Sequence, residues 1–370
     1  MKAIPVKFFV VTVLLLGLPL LGPSLTRKPL GHYFEFPPRS VYIQHAPFSW
    51  VAFCAYTVFV LGVTIPFIIR SFRRHTQMDS CPRQRFPFPW WGYLGISFGV
   101  IAWVLAWTRF SWFEKLQPHT FTPLWIAYIV TINALSYQRT GRCMLIDHTS
   151  KFLVLFPVSA LFWWFFEYLN RFVQNWQYMG PDFGPEGYFC FATMSFSTVL
   201  PAVSGTRQWL MSFAWFQDTY SNFAPFSPTQ PKALAFAVLA LACTGLACIG
   251  ILPNLLFPLL WISPLLLLVC IQACLGERTI FSSISHGDWH PVLVASLSAL
   301  ICGLFWEMWN YYSLAKWIYH VPYVGRFKVF EMPALGYAGY LPFGLECAVI
   351  VDMIRTAKPQ NPLASLCQPY

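Results

Sequence analysis

The chain alternates between long apolar stretches and short segments that hold most of its charges, prolines and glycines. A helix needs about 20 mostly apolar residues to cross the hydrocarbon core of a bilayer. Ten stretches meet that length, so the pattern predicts an all-α, polytopic integral membrane protein with about ten transmembrane helices. These stretches are 7–25, 48–69, 90–108, 121–138, 152–172, 187–204, 233–251, 255–274, 292–313 and 333–353.

The composition of the 370 residues excludes a soluble globular protein. Hydrophobic residues make up 57% of the chain and charged residues only 10%, whereas about a quarter of the residues in a soluble domain are charged. The net charge of +10 does not indicate a nucleic-acid partner, because the basic residues flank the apolar stretches. With the N-terminus in the cytoplasm, fifteen Lys and Arg residues fall on the cytoplasmic side and nine on the outer side. We therefore predict a multi-pass protein of the cell membrane with both termini in the cytoplasm.

Two parts of the sequence resemble each other. At a shift of 140 residues, Glu167 and Asn170 fall on Glu307 and Asn310, and at 141 the segment from Trp176 falls on the segment from Trp317. This predicts two parallel four-helix repeats, which often enclose a site where they meet. We divide the chain into four parts. Two N-terminal helices and a basic loop span 1–89, and the first repeat spans 90–204. An aromatic and Pro-rich linker follows at 205–232, and the second repeat with a C-terminal tail spans 233–370.

The first apolar stretch has two interpretations. Lys2 and Lys7 precede an apolar run, as in a signal peptide. No clean small-residue cleavage site follows the run, so we expect a retained membrane anchor.

Acidic residues inside apolar helices are the candidates for chemistry. A carboxyl group is costly in hydrocarbon, so it must face the bundle interior, pair with another group or stay protonated. Glu and Asn three residues apart share a helix face, and the Asn amide could donate a hydrogen bond to the carboxylate. We predict catalytic roles for Glu167, Asn170, Glu307, Asn310 and Glu346. The alternative is that each Glu–Asn pair joins two helices by hydrogen bonds and has no other role.

Aromatic residues surround these positions. They could form the wall of a site for a long apolar or a cationic ligand, because an aromatic face attracts positive charge; packing against lipid is the alternative. The candidate binding residues are Trp164, Trp176, Tyr178, Trp306, Trp309, Trp317, Tyr319 and Glu331. Membrane lipids are the other expected partners, and the sequence indicates no oligomeric state. It contains no motif for a soluble cofactor. His286 and His290 flank Asp288 at a spacing that could hold a metal on a helix, but Gly287 and Pro291 argue against a regular helix there, so we expect a helix cap and no metal site.

The segment FWEMWNYYSLAKWIYHVP…FEMPALGYAGYLPF resembles membrane domains of the lycopene-cyclase type, from carotenoid synthesis. The matching elements are Trp306–Glu307, Trp317–Tyr319 and Glu331–Pro333, about a tenth of the chain. The segment departs from the family because its acidic residue precedes the proline and no acidic pair follows, and the span count also differs. The resemblance implies acid-catalysed chemistry on an isoprenoid chain, with Glu307 and Glu331 as acids.

The sequence is compatible with three functions. An intramembrane acid–base enzyme acting on a lipid or isoprenoid would need no cofactor. A proton-coupled or lipid-handling transporter would place its site at the repeat junction. A structural membrane subunit would use the glutamates only to join helices.

Overall fold

A computed structural model describes residues 3–75 and 86–356 of the chain. Three parts of the predictions lie outside these ranges: Lys2 before the first apolar stretch, residues 76–85 of the predicted basic loop, and the C-terminal tail from residue 357. Helices make up 71% of the structure and there is almost no sheet, so the predicted all-α class is confirmed. The α-helices are α1 Ala3–Leu25, α2 Trp50–His75, α3 Trp90–Trp107, α4 Phe121–Thr140, α5 Met144–Asp147, α6 Thr149–Val173, α7 Pro185–Phe196, α8 Val199–Met211, α9 Ala214–Tyr220, α10 Pro231–Cys248, α11 Pro253–Leu256, α12 Leu259–Cys274, α13 His290–Tyr311 and α14 Tyr340–Thr356.

Short strands and 3₁₀ helices connect the long helices. Strands β1 and β2 form one antiparallel pair, and β3 and β4 form another. The strands are β1 Trp176–Met179, β2 Lys316–Tyr319, β3 Lys328–Val329 and β4 Met332–Pro333. The 3₁₀ helices are Gly31–Phe34, Ser111–Phe113, Gln117–His119, Ser282–His286 and Ala334–Gly339.

Each of the ten predicted apolar stretches overlaps one or more helices, but ten membrane crossings are not confirmed. Among the described residues, seven helical segments are long and apolar enough to cross a membrane. Two further apolar helices, Phe9–Leu25 and Leu259–Cys274, are shorter. The 20 residues of α4 are not among the seven, and this helix carries polar residues such as Asn133 and Ser136 in its second half.

The predicted stretch 187–204 is helical but interrupted. It belongs to α7 and α8, which are separated at Ser197 and Thr198. The hydroxyl of Ser159 on α6 donates to the carbonyl of Phe196 (2.6 Å) and accepts from the amide of Leu200 (2.9 Å). A side chain inserted into the helix hydrogen bonds thus satisfies the backbone groups that the interruption frees.

The helices run between two ends of the molecule. We call the end that holds β1 and β2 the strand end. At the opposite end, Lys7 of α1 pairs with Glu277 after α12, and Arg207 of α8 pairs with Asp352 of α14. The α1 helix packs closely against α10, since a Cβ at Gly22 would lie 2.2 Å from the carbonyl oxygen of Ala247.

The core at the strand end consists of aromatic rings. Trp125 of α4 packs against Trp306 of α13, with ring centroids 4.9 Å apart. Trp261 of α12 stacks on Phe166 of α6 at 5.0 Å. Rings of this size bury large apolar areas and fix the relative positions of the helices that carry the glutamates.

Candidate functional site

The two predicted Glu–Asn helices lead directly into the two paired strands. β1 follows α6, β2 follows α13, and the strands pair with Trp176 opposite Tyr319 and Tyr178 opposite Trp317. This two-stranded ribbon, β1 paired with β2, therefore connects the ends of α6 and α13. Four of the predicted binding residues, Trp176, Tyr178, Trp317 and Tyr319, lie on it.

Asn170 and Asn310 hold these strands in place. The Nδ2 of Asn170 donates to the carbonyl of Trp176 at 2.9 Å, and its Oδ1 accepts from the amide of Asn175 at 2.8 Å. The Nδ2 of Asn310 donates to the carbonyl of Trp317 at 2.7 Å, and its Oδ1 accepts from the amide of Trp317 at 2.9 Å. Each amide thereby satisfies backbone groups where a helix turns into a strand.

The expected amide-to-carboxylate bond is not formed at either position in the described structure. An Asn three residues after a Glu shares its helix face, but the strand backbone supplies both partners of the amide. The asparagines act on the glutamates indirectly, because they position the strand residues that donate to the carboxylates.

The carboxylate of Glu167 accepts three hydrogen bonds from aromatic side chains. Its Oε1 receives the Nε1 hydrogens of Trp163 at 3.1 Å and Trp176 at 3.0 Å, and the hydroxyl of Tyr178 at 2.6 Å. Burial, and then the neighbouring carboxylate, raise the pKa of Tyr178 well above its usual value, so this phenol stays protonated and donates. All three bonds end at Oε1, which leaves Oε2 for another partner.

The carboxylate of Glu307 is held in a different way. Its Oε1 accepts from the hydroxyls of Tyr319 and Tyr340, both at 2.7 Å. Trp317 donates to the hydroxyl of Tyr319 at 2.7 Å. The other oxygen, Oε2, is buried and finds no hydrogen-bond partner among the described residues.

One position explains why the two glutamates differ. Trp163, a donor to Glu167, falls on Gly303 at the 140-residue shift. A Cβ at Gly303 would lie 2.5 Å from the ring of Tyr340, so only glycine lets this ring reach Glu307. Both glutamates are buried, but Tyr340 packs against Glu307, which is not among the lining residues of the cavity described next, whereas Glu167 is one of them.

The cavity at the strand end has a volume of about 820 Å³ and a mostly apolar wall. This volume lies within the range of about 300–1,000 Å³ found for small-molecule sites. Seven of the predicted site residues line it: Glu167, Asn170, Trp176, Tyr178, Trp306, Trp317 and Tyr319. The loop before α2, the middle of α2, α7 and the segment that leads into α14 complete the wall.

The other predicted residues lie elsewhere. Glu307 and Asn310 lie behind the wall, and Glu346 is buried in α14 with its Oε2 unpartnered among the described residues. The remaining three are not among the lining residues. Trp164 donates to Thr193 (3.0 Å), Trp309 packs against Trp125 (5.3 Å), and Glu331 pairs with Lys316 (2.6 Å).

Three residues of the site were missing from the predicted set. Trp163 and Tyr340 donate to the glutamates, and Trp261 stacks on Trp176 at 5.6 Å. Trp163 precedes Glu167 by one helical turn, so an indole-to-carboxylate bond on that face was detectable in the sequence. No local pattern indicates Tyr340, because its contact with Glu307 depends on how α13 packs against α14.

No cluster of three or more His, Cys, Asp or Glu side chains in the described ranges could hold a metal ion. Comparison of the chain with protein-family models, curated proteins and solved structures gives no match. The length and apolar composition of the seven helical segments indicate a membrane protein.

Proposed function

We propose that the protein is an intramembrane acid–base enzyme that acts on a lipid or isoprenoid in the cavity at the strand end. Glu167 is the residue that exchanges the proton. The observation that carries the proposal is the carboxylate of Glu167 in an aromatic-walled cavity: three side chains donate to its Oε1, and none of the three donates to its Oε2. We also propose that the protein lies in the cell membrane with both termini in the cytoplasm, as the charge distribution suggests.

The arrangement supports a reaction without a cofactor. Protonated Glu167 would give its proton to a double bond of the bound chain, the resulting cation would rearrange or close a ring, and the carboxylate would take a proton back. General acid–base catalysis of this kind contributes about 10²–10⁴-fold to a rate. Trp163, Trp176 and Trp306 line the same cavity, and their rings would stabilise developing positive charge.

Glu307 has a positioning role in this proposal. It lies behind Tyr319 and Tyr340, and both hydroxyls fix aromatic rings of the cavity wall. The lycopene-cyclase resemblance assigns acid roles to Glu307 and Glu331, but Glu307 is covered and Glu331 is engaged by lysines. Our proposal keeps the chemistry that the resemblance implies and assigns it to Glu167.

We also propose that the two sites arose by duplication of a four-helix unit. In the ribbon, Trp176 lies opposite Tyr319 and Tyr178 opposite Trp317, so positions related by 141 residues exchange partners, as a two-fold axis requires. Trp125 falls on Trp261 at a shift of 136 residues, and Phe166 falls on Trp306 at a shift of 140. The two corresponding pairs have nearly equal ring distances, 4.9 Å for Trp125 and Trp306 and 5.0 Å for Trp261 and Phe166. Divergence at Gly303 would then have left one open site and one covered site.

A matched pair of variants tests the proposal. Glu167→Gln keeps the size and an acceptor oxygen for Trp163, Trp176 and Tyr178 but cannot exchange a proton. We expect the lipid profile of cells producing Glu167→Gln to equal that of cells without the protein, whereas Glu307→Gln retains product in proportion to the amount of folded protein. A wild-type lipid profile in cells with Glu167→Gln would contradict the proposal.

A transporter is the second candidate, and one observation favours it. The 3₁₀ helix Ala334–Gly339 precedes α14 and contributes to the cavity wall, as discontinuous helices do in carriers. In that case Glu167→Gln would change the pH dependence of transport in vesicles and leave the lipid profile of the cells unchanged. The same lipid analysis therefore distinguishes the two candidates.

A further inference from the structure

The α2 helix is attached to the rest of the protein differently from the other candidate spans. No residue in its apolar window is buried, whereas the other six spans have 17–61% of their windows buried. Tyr56 still packs near Phe257, with ring centroids 6.3 Å apart, but Val60 and Thr64 further along its inward face are only half-buried. Interiors are normally close-packed, so a half-exposed inward face means that a gap separates the middle of α2 from the bundle.

Contacts at the two ends hold α2 in place. At the strand end, the ring of Phe53 lies 5.3 Å from that of Phe327. At the opposite end, Phe67 packs against Trp289 at 5.2 Å, and Arg70 donates to the carbonyls of Thr219 and Asn222. The helix is thus fastened at both ends and separated from the bundle between them.

The middle of α2 forms part of the cavity wall. Tyr56, Phe59, Val60, Val63 and Thr64 line the cavity that also contains Glu167. The hydroxyl of Thr64 bonds to the carbonyl of Val60 at 2.8 Å and so is already satisfied within the helix. Apart from the hydroxyl of Tyr56, this wall is apolar, and it lies in the part of a membrane-spanning helix that hydrocarbon surrounds.

We propose that the gap beside the middle of α2 is a lateral entrance through which one hydrocarbon chain of a membrane lipid enters the cavity and reaches Glu167. The inference rests on the proposed function and specifies its substrate as a lipid already in the bilayer. A chain of CH₂ groups suits the gap because the wall offers apolar side chains and no free donor from Thr64. A water-soluble ligand would have to cross hydrocarbon to use the same opening.

Photo-crosslinking of the full-length protein in its native membrane tests the entrance. The photoreactive residue p-benzoylphenylalanine replaces Val63 in the cavity wall or, as a control, Val58, which is 71% exposed and is not a lining residue. Mass spectrometry then identifies the trapped lipids. We expect the Val63 probe to enrich one lipid class about tenfold over its share of the membrane, the ratio that 1.4 kcal/mol of preferential binding gives. The Val58 probe should trap lipids in proportion to the membrane composition.

Three further results separate the entrance from the catalytic proposal. Val60→Trp should fill the gap and abolish selective trapping at Val63, whereas Val58→Trp on the opposite helix face should not. Glu167→Gln should keep the trapping, because entry needs no proton exchange. Equal lipid profiles at Val63 and Val58, or adducts at Val63 with a neighbouring copy of the protein or a water-soluble molecule, would overturn the entrance and leave the role of Glu167 standing. If Val60→Trp does not fold, the comparison of lipid trapping at Val63 and Val58 still tests the entrance.

Discussion

Gly303→Ala tests whether the hydrogen bond between Tyr340 and Glu307 depends on the absence of a side chain at position 303. The new Cβ would lie 2.5 Å from Cδ2 and Cε2 of the Tyr340 ring and 2.8 Å from its Cγ. Real Cβ atoms do not approach ring carbons so closely, so Tyr340 must move. Its hydroxyl would then leave Glu307, which accepts from it at 2.7 Å.

The expected loss of stability follows from three contributions. Overpacking a core costs about 1–3 kcal/mol, and a lost hydrogen bond to a charged group about 1.5–3 kcal/mol. Alanine gains about 0.8–1 kcal/mol over glycine inside a helix. The net expectation is that Gly303→Ala lowers the free energy of unfolding by about 2–5 kcal/mol.

Unfolding with sodium dodecyl sulfate in mixed micelles measures this difference. Gly17→Ala in α1 is the matched control, because nothing lies within 4 Å of a Cβ at that helical position. In a Tyr340→Ala background the clash is absent, so Gly303→Ala should become neutral or slightly stabilising, and the double-mutant cycle isolates the coupling. Equal effects of Gly303→Ala with and without the Tyr340 ring would refute the reasoning.

Two more predictions concern the strand end. Asn310→Ala removes both hydrogen bonds to the backbone of Trp317, so it should lower the free energy of unfolding by about 1–3 kcal/mol; an unchanged value in the same titration would contradict the role of the amide. Burial lowers the pKa of both His45 and His320. A neighbouring charge lowers each pKa further: the charge of His320 acts on His45, and the charge of Lys328 acts on His320. Because the unfolded chain then binds more protons, stability should fall as the pH drops below the usual imidazole value of about 6.5. Replacing both histidines with Gln should make this dependence shallower, and an unaltered pH profile would exclude the pair as its source.

The sequence predicted the helices well because bilayer thickness imposes a length on apolar stretches. It did not predict where a helix is interrupted, because that depends on contacts with other helices. The interruption at Ser197 depends on Ser159 from another helix, and α4 is a long helix whose polar residues keep it out of the seven candidate spans.

The candidate site shows the same division. Glu167, Trp176 and Tyr178 are close in sequence and lie together in the structure, so local spacing sufficed to group them. The partners of Asn170 and Asn310 were not predictable, because an amide three residues after a glutamate can bond to the carboxylate or to the backbone beyond the helix. The covering of Glu307 depends on the packing of Gly303 against Tyr340, which no single stretch of sequence encodes.

Electron cryomicroscopy of the protein in nanodiscs made from its native membrane tests the central claim most directly. We expect elongated density in the cavity, with a hydrocarbon chain that contacts Oε2 of Glu167 and leaves past Val60 of α2. A cavity filled by its own side chains, with lipid density only on the outer surface of the helices, would contradict it.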